Sequence, residues 1–314
     1  MMRSTEIKQH DGQLTDGSEL ASLIHDVFPP VLHAFGYGSG VFVQQKDEKE
    51  RKMIDLILVV DNAQVFHAEL MKRHSHHYSL SCRLGGPSFC ARVQNGFGAK
   101  VFFHAFVEAE GKFIKYGIVE KKHVLDDLTN WSYLYIAGRL HKPTLSLILD
   151  DEVTEAQISA NLPGALAASI LLLDEKETNK ASLSTVFQSI AQISYSGDPR
   201  MDVGGEDPDK VNKLVHGNDG QMERFRLLYQ PALDDFSQRG LLSFNSTEVE
   251  WDAAPLRHVL PPRLTIATTR LQPALSSTVR EAARAQSFKG IVTVGVAKSA
   301  QYAFAKFSKG LLRV

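Results

Sequence analysis

A glycine-rich segment contains the residue types that bind phosphate groups. Gly36, Gly38 and Gly40 alternate with Tyr37 and Ser39. Closely spaced glycines let a backbone turn tightly and approach a ligand, because no Cβ atom stands in the way. A serine between them adds a hydroxyl and an N–H group, and such groups bind phosphate oxygens. We therefore expect Gly38, Ser39 and Gly40 to hold phosphates.

An acidic residue follows inside an apolar run. Residues 53–60 are predicted to form a buried strand that contains Asp55. A buried carboxylate needs a cation or a network of hydrogen-bond donors, and it is also a ligand that Mg²⁺ prefers. Ile57 is the next residue on the same face of the strand, so a second acidic ligand is missing there. That ligand must come from elsewhere in the chain or from the substrate.

Residues 195–200 are the best candidate for completing this site. They place Ser196, Asp198 and Arg200 around a glycine at the end of a predicted helix, where we expect an exposed acid, hydroxyl and guanidinium. An ordinary helix C-terminus followed by a turn explains the same composition equally well. We interpret Asp198 as a second metal ligand or as the group that positions an attacking phosphate.

Three further basic residues are candidates for phosphate binding. Lys115 lies in an apolar strand beside a glycine, from which it could reach a phosphate or extend into solvent. Arg139 and Lys142 form a basic pair that could hold phosphate or stay solvated. Four histidines, His67, His74, His76 and His77, also lie close in sequence. Because no cysteine or carboxylate joins them at a ligand spacing, we interpret them as surface or ligand-contacting residues.

The elements that must position these residues predict an α+β protein. Up to residue 120 strand-like and helix-like segments are mixed, with a hairpin at Gly111. Helical spacing then dominates, at residues 124–128, 131–139, 155–173 and 184–195. We predict three regions: a nucleotide-binding domain at 1–120, a mostly helical domain at 121–236, and a basic C-terminal region at 237–314.

Composition restricts the class of protein. The chain has 314 residues, of which 43% are hydrophobic and 23% charged, typical of a globular protein with two domains. No run of eighteen apolar residues predicts a transmembrane helix, and no secretory signal is recognised at the N-terminus. The two cysteines match no zinc or disulfide pattern and favour a reducing compartment.

Charge is distributed unevenly. From Ala253 to Val314 there are ten basic residues and one acid, Glu281, within a chain whose net charge is −1. Such a basic end indicates an anionic partner: a nucleic acid, a phosphorylated ligand or an anionic lipid surface. Any single basic residue could equally well lie on a solvated helix face.

The ordered series of motifs resembles the mitochondrial Tam-type phosphatidate cytidylyltransferases, within the polymerase-β-like nucleotidyltransferase superfamily. The resemblance covers nearly the whole chain, and the series in this order is specific although each motif alone is weak. The matching positions are residues 37–41, Asp55, residues 77–79, residues 114–117, Trp131, residues 134–140, residues 142–143, residues 195–198, Arg200, Met201, residues 224–225, residues 228–229, and residues 309–310.

The resemblance implies a nucleotidyltransferase domain followed by a winged-helix-like domain. It implies that CTP and phosphatidic acid form CDP-diacylglycerol and pyrophosphate, an early step of cardiolipin synthesis, with Mg²⁺ as cofactor. Together with the residue types discussed above, it leads us to expect Ser39, Asp55, Lys115 and Asp198 as catalytic residues, with Asp55 and Asp198 as metal ligands. CTP or phosphate would contact Tyr37, Gly38, Ser39, Gly40, Arg139, Ser196 and Arg200.

The family acts as a peripheral protein on the matrix side of the mitochondrial inner membrane. We expect the basic C-terminal region to contact an anionic membrane surface, with part of the family's membrane-binding segment beyond this chain, and we expect no nucleic acid partner. Two alternatives stay open: a tRNA-type nucleotidyltransferase, which the basic tail would suit, and a non-catalytic nucleotide- or lipid-binding protein, which Ile57 would suit.

Overall fold

A five-stranded mixed sheet carries the glycine-rich segment and Asp55. The computed structural model describes residues 16–38, 40–42, 53–175, 179–199, 209–217, 220–265 and 270–294. Ser39, Arg200 and the segment after residue 294 lie outside these ranges. The strands are β1 (His33–Tyr37), β2 (Ile54–Val60), β3 (Phe102–Ala109), β4 (Lys112–Glu120) and β5 (Leu145–Ile148), in the order β3-β4-β2-β1-β5. Strands β2 and β4 are parallel, and the other neighbours are antiparallel.

Three helices pack on one face of this sheet. They are α1 (Gly17–Val27), α2 (Ala63–His74) and α3 (Leu80–Gly96). Because strand residues alternate between faces, Leu56 and Leu58 of β2 join the core beneath these helices, whereas Ile57 and Val59 join the core on the other face. The N-cap of α2 is Asn62, whose side chain accepts a hydrogen bond from the Val65 N–H.

The second half of the chain forms a helical unit with its own small sheet. Its helices are α4 (Lys121–Asn130), α5 (Ala137–Leu140), α6 (Asp151–Ala156), α7 (Leu162–Asp174), α8 (Leu183–Ile193), α9 (Lys210–His216) and α10 (Gln221–Gln238). A π-helical turn, Gln157–Asn161, joins α6 to α7. Strands β6 (Lys180–Ser182), β7 (Leu242–Phe244) and β8 (Glu248–Trp251) form an antiparallel sheet in the order β6-β8-β7. The mixed α+β class is therefore confirmed.

Two helical predictions need correction. Residues 131–136 are not helical, since Trp131 and Leu134 have positive φ angles of 52° and 51° and only Ala137–Leu140 forms a helix. Within the same region, β5 leaves the helical unit and pairs with β1 of the large sheet. The predicted boundary at residue 120 stays a prediction, because the core on the Ile57 face is continuous with the helical unit.

The chain ends, in its described part, with a long helix that contacts both halves. Short helices α11 (Ala253–Leu256) and α12 (Pro262–Thr265) lead to α13 (Leu271–Val294). Leu275 is buried in the core shared with the helical unit. Farther along, the Gln286 side chain donates a hydrogen bond to the Val101 carbonyl, and the Lys289 ammonium donates to the Gln94 and Phe97 carbonyls. Helix α13 therefore connects the two halves.

One helical stretch is apolar enough to be compared with a membrane span. Residues Asp151–Asp174 have a window of mean hydropathy 1.5, and 67% of that window is buried inside the protein. Its buried part includes Leu166 and Ile170, which belong to the core around α8 and α10. This stretch therefore packs as a core helix.

Candidate active site

Three polar side chains lie in one row across the large sheet. Tyr37 of β1 pairs in register with Asp55 of β2, and Asp55 pairs with Lys115 of β4. The Lys115 Nζ lies 3.2 Å from the Asp55 carboxylate and 5.0 Å from the centre of the Phe103 ring. The predicted need of Asp55 for a cation is thus met by Lys115. We call Tyr37, Asp55 and Lys115 the polar row.

The glycine loop begins directly beside this row. Gly38 has a φ of +79°, which favours glycine, and a Cβ atom built there would lie 3.8 Å from the Asp55 Oδ2. A Cβ at Gly40 would lie 2.3 Å from the Met53 carbonyl oxygen, so that position has no room for a side chain. The loop therefore lies next to the Asp55 carboxylate.

Arg139 reaches the polar row from the helical unit. Its guanidinium carbon lies 5.1 Å from the Tyr37 ring centre and 3.9 Å from that of Tyr135, and its Nη1 donates a 2.6 Å hydrogen bond to the Tyr135 carbonyl. Within the described ranges, neither the buried Tyr37 hydroxyl nor the Arg139 Nε makes a hydrogen bond of standard geometry, although the two side chains are in contact. Burial and the Asp55 charge raise the pKa of Tyr37. Both groups are donors that a bound anion would satisfy.

A buried carboxylate holds the segment that presents Arg139. Asp127 accepts five hydrogen bonds of 2.8–3.1 Å from the N–H groups of Tyr133, Leu134, Tyr135, Ile136 and Ala137. Burial raises the pKa of Asp127, and these N–H donors act in the opposite direction. The sequence analysis missed this residue. Its signal was an acid on the buried stripe of α4, between Val124 and Leu128.

The π-helical turn stabilises the same segment from the other side. The Asn161 side-chain oxygen accepts hydrogen bonds from the Trp131 Nε1, at 2.9 Å, and from the His141 Nε2, at 3.0 Å. The Tyr229 hydroxyl of α10 donates to the His141 carbonyl at 2.9 Å. Residues on both sides of Arg139 are therefore fixed before any ligand binds, and π-helical turns often occur at functional sites.

Two lysines extend the positive charge beyond Arg139. The Lys142 Nζ donates hydrogen bonds to the Gly138 carbonyl and to the Ser194 hydroxyl, the latter at 2.6 Å. Both Lys142 and Lys210 lie over the Tyr195 ring, at 5.3 and 5.7 Å from its centre. Burial, together with the charges of Arg139 and Lys210, lowers the pKa of Lys142 to about 7. We call Lys115, Arg139, Lys142 and Lys210 the cation cluster.

The turn that contains Ser196 and Asp198 is buried, contrary to the expectation of an exposed turn. Ser196 and Asp198 are 4% and 3% exposed. The turn packs under α13, where the Gln272 side chain donates to the Ser196 hydroxyl and a Cβ at Gly197 would lie 2.4 Å from the Ser276 carbonyl oxygen. It adjoins the cation cluster through Tyr195. The roles predicted for Ser196, Asp198 and Arg200 stay predictions.

The helical unit also contacts the far end of the glycine loop. The Arg224 guanidinium of α10 lies 5.2 Å from the centre of the Phe42 ring, which follows the loop. The site thus lies between the sheet and the helical unit, and its described residues include the Asp55 carboxylate, two glycines of the loop and several cations. This combination suits a phosphorylated, metal-bound ligand.

Comparison with known proteins identifies the family. The profile described as "Phosphatidate cytidylyltransferase, mitochondrial" matches residues 20–260. Proteins of that name from Caenorhabditis elegans and Rattus norvegicus are each 34% identical to this chain over 90% of its length, and cover 94% and 91% of their own. That from Saccharomyces cerevisiae is 33% identical over 94% of this chain and 71% of its own length. The chain therefore belongs to the mitochondrial phosphatidate cytidylyltransferase family.

Proposed function

We propose that this chain joins CTP to phosphatidic acid at the polar row, forming CDP-diacylglycerol and pyrophosphate. Membership of the family supports the reaction, since its relatives carry the name phosphatidate cytidylyltransferase. The placement of the Asp55 carboxylate between Lys115 and the glycine loop is the observation that carries the site assignment. We further infer that the large sheet is a nucleotidyltransferase domain, and that α8–α10 with the β6-β8-β7 sheet is winged-helix-like.

The residues present fit a magnesium ion bound together with a triphosphate. Mg²⁺ is usually held by one or two carboxylates plus substrate phosphates and water. Asp55 would supply one carboxylate, and Ile57 leaves the neighbouring position apolar. Asp198 is our candidate for the second. Bound magnesium would neutralise triphosphate charge and align the α-phosphate for attack.

The chain's own residues would bind and orient the two substrates. Gly38, Ser39 and Gly40 would hold the β- and γ-phosphates through backbone and hydroxyl donors. Lys115, Arg139 and Arg200 would offset negative charge on the triphosphate or on the phosphatidate head group. The Tyr37 hydroxyl and Arg139 Nε would donate to phosphate oxygens, since no described residue accepts a hydrogen bond of standard geometry from them.

The attacking group needs little activation. A phosphate monoester is already ionised near neutral pH, so a strong general base is not required in this transfer. Alignment and charge neutralisation would supply most of the rate enhancement. Asp198 would contribute either as a metal ligand or by positioning the attacking phosphate. The buried, hydrogen-bonded segment around Arg139 suits this task because its geometry is set before the substrates bind.

The same comparison supports a mitochondrial location. The relatives are named mitochondrial. We propose that this protein lies on the matrix side of the inner membrane as a peripheral protein and supplies an early step of cardiolipin synthesis. The ten basic residues between Ala253 and Val314 would draw it to anionic lipid.

The direct test of the reaction is the identity of the labelled product. Purified protein is incubated with Mg²⁺ and CTP labelled at the α-phosphate, with phosphatidic acid vesicles or with tRNA. We expect label in the lipid fraction as CDP-diacylglycerol, with one pyrophosphate released per lipid. Label in tRNA alone would support a tRNA-type nucleotidyltransferase, and CTP binding without any product would support a non-catalytic protein.

A further inference from the structure

Three histidines converge where helix α2 ends. His74 is the last residue of α2, and Ser75–His77 form a 3-10 turn immediately after it. One ring nitrogen from each of His74, His76 and His77 lies within 4.8 Å of the others. The sequence, which offers no cysteine or carboxylate beside them at a ligand spacing, indicated surface or ligand-contacting histidines rather than a metal site. The folded turn instead brings three imidazoles together.

His77 is held in the way that a metal-bound histidine is usually held. It is 6% exposed, and its Nδ1 lies 2.8 Å from the hydroxyl of the fully buried Tyr116. Its backbone carbonyl is 3.0 Å from the His104 Nδ1, and the His104 ring stacks on Tyr116 with centroids 4.7 Å apart. Metal-binding histidines commonly donate their second ring N–H to an oxygen, which fixes the ring. Here Tyr116 would accept that hydrogen bond and direct the His77 Nε2 to the ion.

The two other rings can adjust to the fixed one. Their centroids lie 5.0 Å (His74) and 4.5 Å (His76) from that of His77. The His74 ring is nearly parallel to the His77 ring, at 11°, so it must rotate for both to point at one ion. Tetrahedral zinc with nitrogen ligands at 2.0–2.1 Å requires nitrogens about 3.4 Å apart. His76 is exposed and His74 half-buried, so both side chains have room for this movement.

We propose that His74, His76 and His77 bind a transition-metal dication of the zinc class, with the fourth position open to water. Imidazole ligands suit Zn²⁺, whereas carboxylate oxygens suit Mg²⁺. The site is separate from the polar row, because Tyr116 and Lys115 are adjacent on β4 and point to opposite faces of the sheet. The two ions would therefore occupy different sites.

Because of where the three histidines lie, a bound metal would stabilise the fold. The turn leads into Ser79, which caps α3 and donates a 3.0 Å hydrogen bond to the Val292 carbonyl of α13. Ser81 donates to the same carbonyl at 3.3 Å. A metal that fixes the turn would therefore stabilise the attachment of α13 to the sheet domain.

The experiment is a calorimetric titration of the full chain with Zn²⁺ alone, in excess Mg²⁺ so that oxygen sites are filled. We expect one tight Zn²⁺ per chain. His76→Ala removes an exposed ligand with little risk to folding. It should weaken Zn²⁺ binding by more than the 10–100-fold that is typical for loss of a residue that only orients a metal ligand. Tyr116→Phe should weaken Zn²⁺ binding 10–100-fold, since it removes only the hydroxyl that orients the His77 ring. His25→Ala is the control, as this histidine is 91% exposed on α1.

Thermal unfolding gives a second measurement. Zn²⁺ should raise the melting temperature of the wild type and of His25→Ala, but not that of His76→Ala. The proposal is overturned if the wild type binds no Zn²⁺, or if His76→Ala and a His74→Ala variant bind it as tightly as the wild type. Equal weakening in His25→Ala would indicate non-specific surface binding and would overturn it as well.

Discussion

The carboxylate of Asp55 is held between a tyrosine and a lysine at the same level of three adjacent strands. An ion pair as exposed as that of Asp55 and Lys115, at 26% and 19%, contributes only about 0–1 kcal/mol to stability. Stability alone therefore gives little reason to keep an acid inside an apolar strand. The adjacent glycine loop offers a reason, because its backbone lies next to the Asp55 carboxylate, where we propose that phosphate and metal bind together.

The lowered pKa of Lys142 predicts that the protein takes up a proton when CTP binds. With a pKa of about 7, Lys142 is mostly neutral at pH 8, and a bound triphosphate should raise that pKa and protonate it. Calorimetry at pH 8 in two buffers of different ionisation enthalpy measures the protons taken up. We expect Lys142→Met to lose this uptake. Lys289→Met is the matched control, because Lys289 also has a pKa lowered to about 7, by burial, but lies at the contact of α13 with α3. Unchanged uptake in Lys142→Met would contradict the assignment.

At the residue scale, sequence reasoning succeeded where the partner of a buried group is a side chain of the expected type. The cost of burying a carboxylate predicted that Asp55 has either a cation or a network of hydrogen-bond donors beside it, and Lys115 supplies the cation. The same cost applies to Asp127, yet its partners are backbone N–H groups of a segment whose periodicity predicted a helix. When a carboxylate accepts hydrogen bonds from those N–H groups, the segment does not form the hydrogen bonds of a helix. The spacing of apolar residues alone does not reveal this competition.

At the scale of elements, the glycine loop and the segment after α4 form two sides of the site. The loop is attached to β1 and β2, and its Gly40 lies against the Met53 backbone. The opposite segment is fixed by Asp127 and Asn161, which leaves Arg139 directed at Tyr37. The positions of the loop and of the opposite segment are therefore set by backbone contacts more than by the side chains that would bind a ligand.

Replacing Gly40 by alanine should distort the loop. A Cβ would lie 2.3 Å from a backbone oxygen, which cannot move without shifting β2. We expect Gly40→Ala to weaken CTP binding at least ten-fold, measured by calorimetry. Gly96→Ala is the matched control, because its Cβ would meet no atom within 4 Å. Equal CTP affinity in both variants would show that the loop does not bind the nucleotide.

Some elements were hidden by local sequence signals. The run Leu80–Gly96 consists of two helical segments that the sequence analysis did not identify, and they meet at Gly86, whose φ of 70° and ψ of −176° are not helical. Strand β5 is short, and its pairing with β1 is a long-range contact that no local pattern encodes. The hairpin of β3 and β4, in contrast, was predicted from its glycine turn and alternating apolar residues, and it is confirmed.

At the scale of the whole molecule, helix α13 joins the parts that must cooperate. It covers the Ser196–Asp198 turn at one end and bonds to the sheet domain through Gln286 and Lys289 at the other. The basic segment that follows it in sequence thus continues from a helix attached to both halves. A membrane contact there would act on the whole enzyme.

The basic segment is predicted to hold the protein on anionic lipid. Changing Lys298, Lys306 and Lys309 to alanine should weaken binding to phosphatidic acid or cardiolipin vesicles about 10²-fold, because each lysine near an anionic surface contributes about 1 kcal/mol. CTP binding should stay unchanged. Alanine at the exposed Lys72, Lys180 and Lys213 is the control for loss of charge alone. If both triple variants lose vesicle binding equally, or if CTP binding falls in parallel, the segment is not the lipid contact.

The most direct test of the active-site assignment compares Asp55→Asn with Asp61→Asn in CDP-diacylglycerol formation. Both changes remove one carboxylate from the same region of the chain, but Asp61 lies exposed beyond the end of β2. We predict that Asp55→Asn lowers turnover by about 10²-fold or more, and that Asp61→Asn stays within about two-fold of the wild type. Melting temperatures of both variants show that folding is retained. Turnover by a folded Asp55→Asn protein close to that of the wild type would contradict the assignment of the site to the polar row.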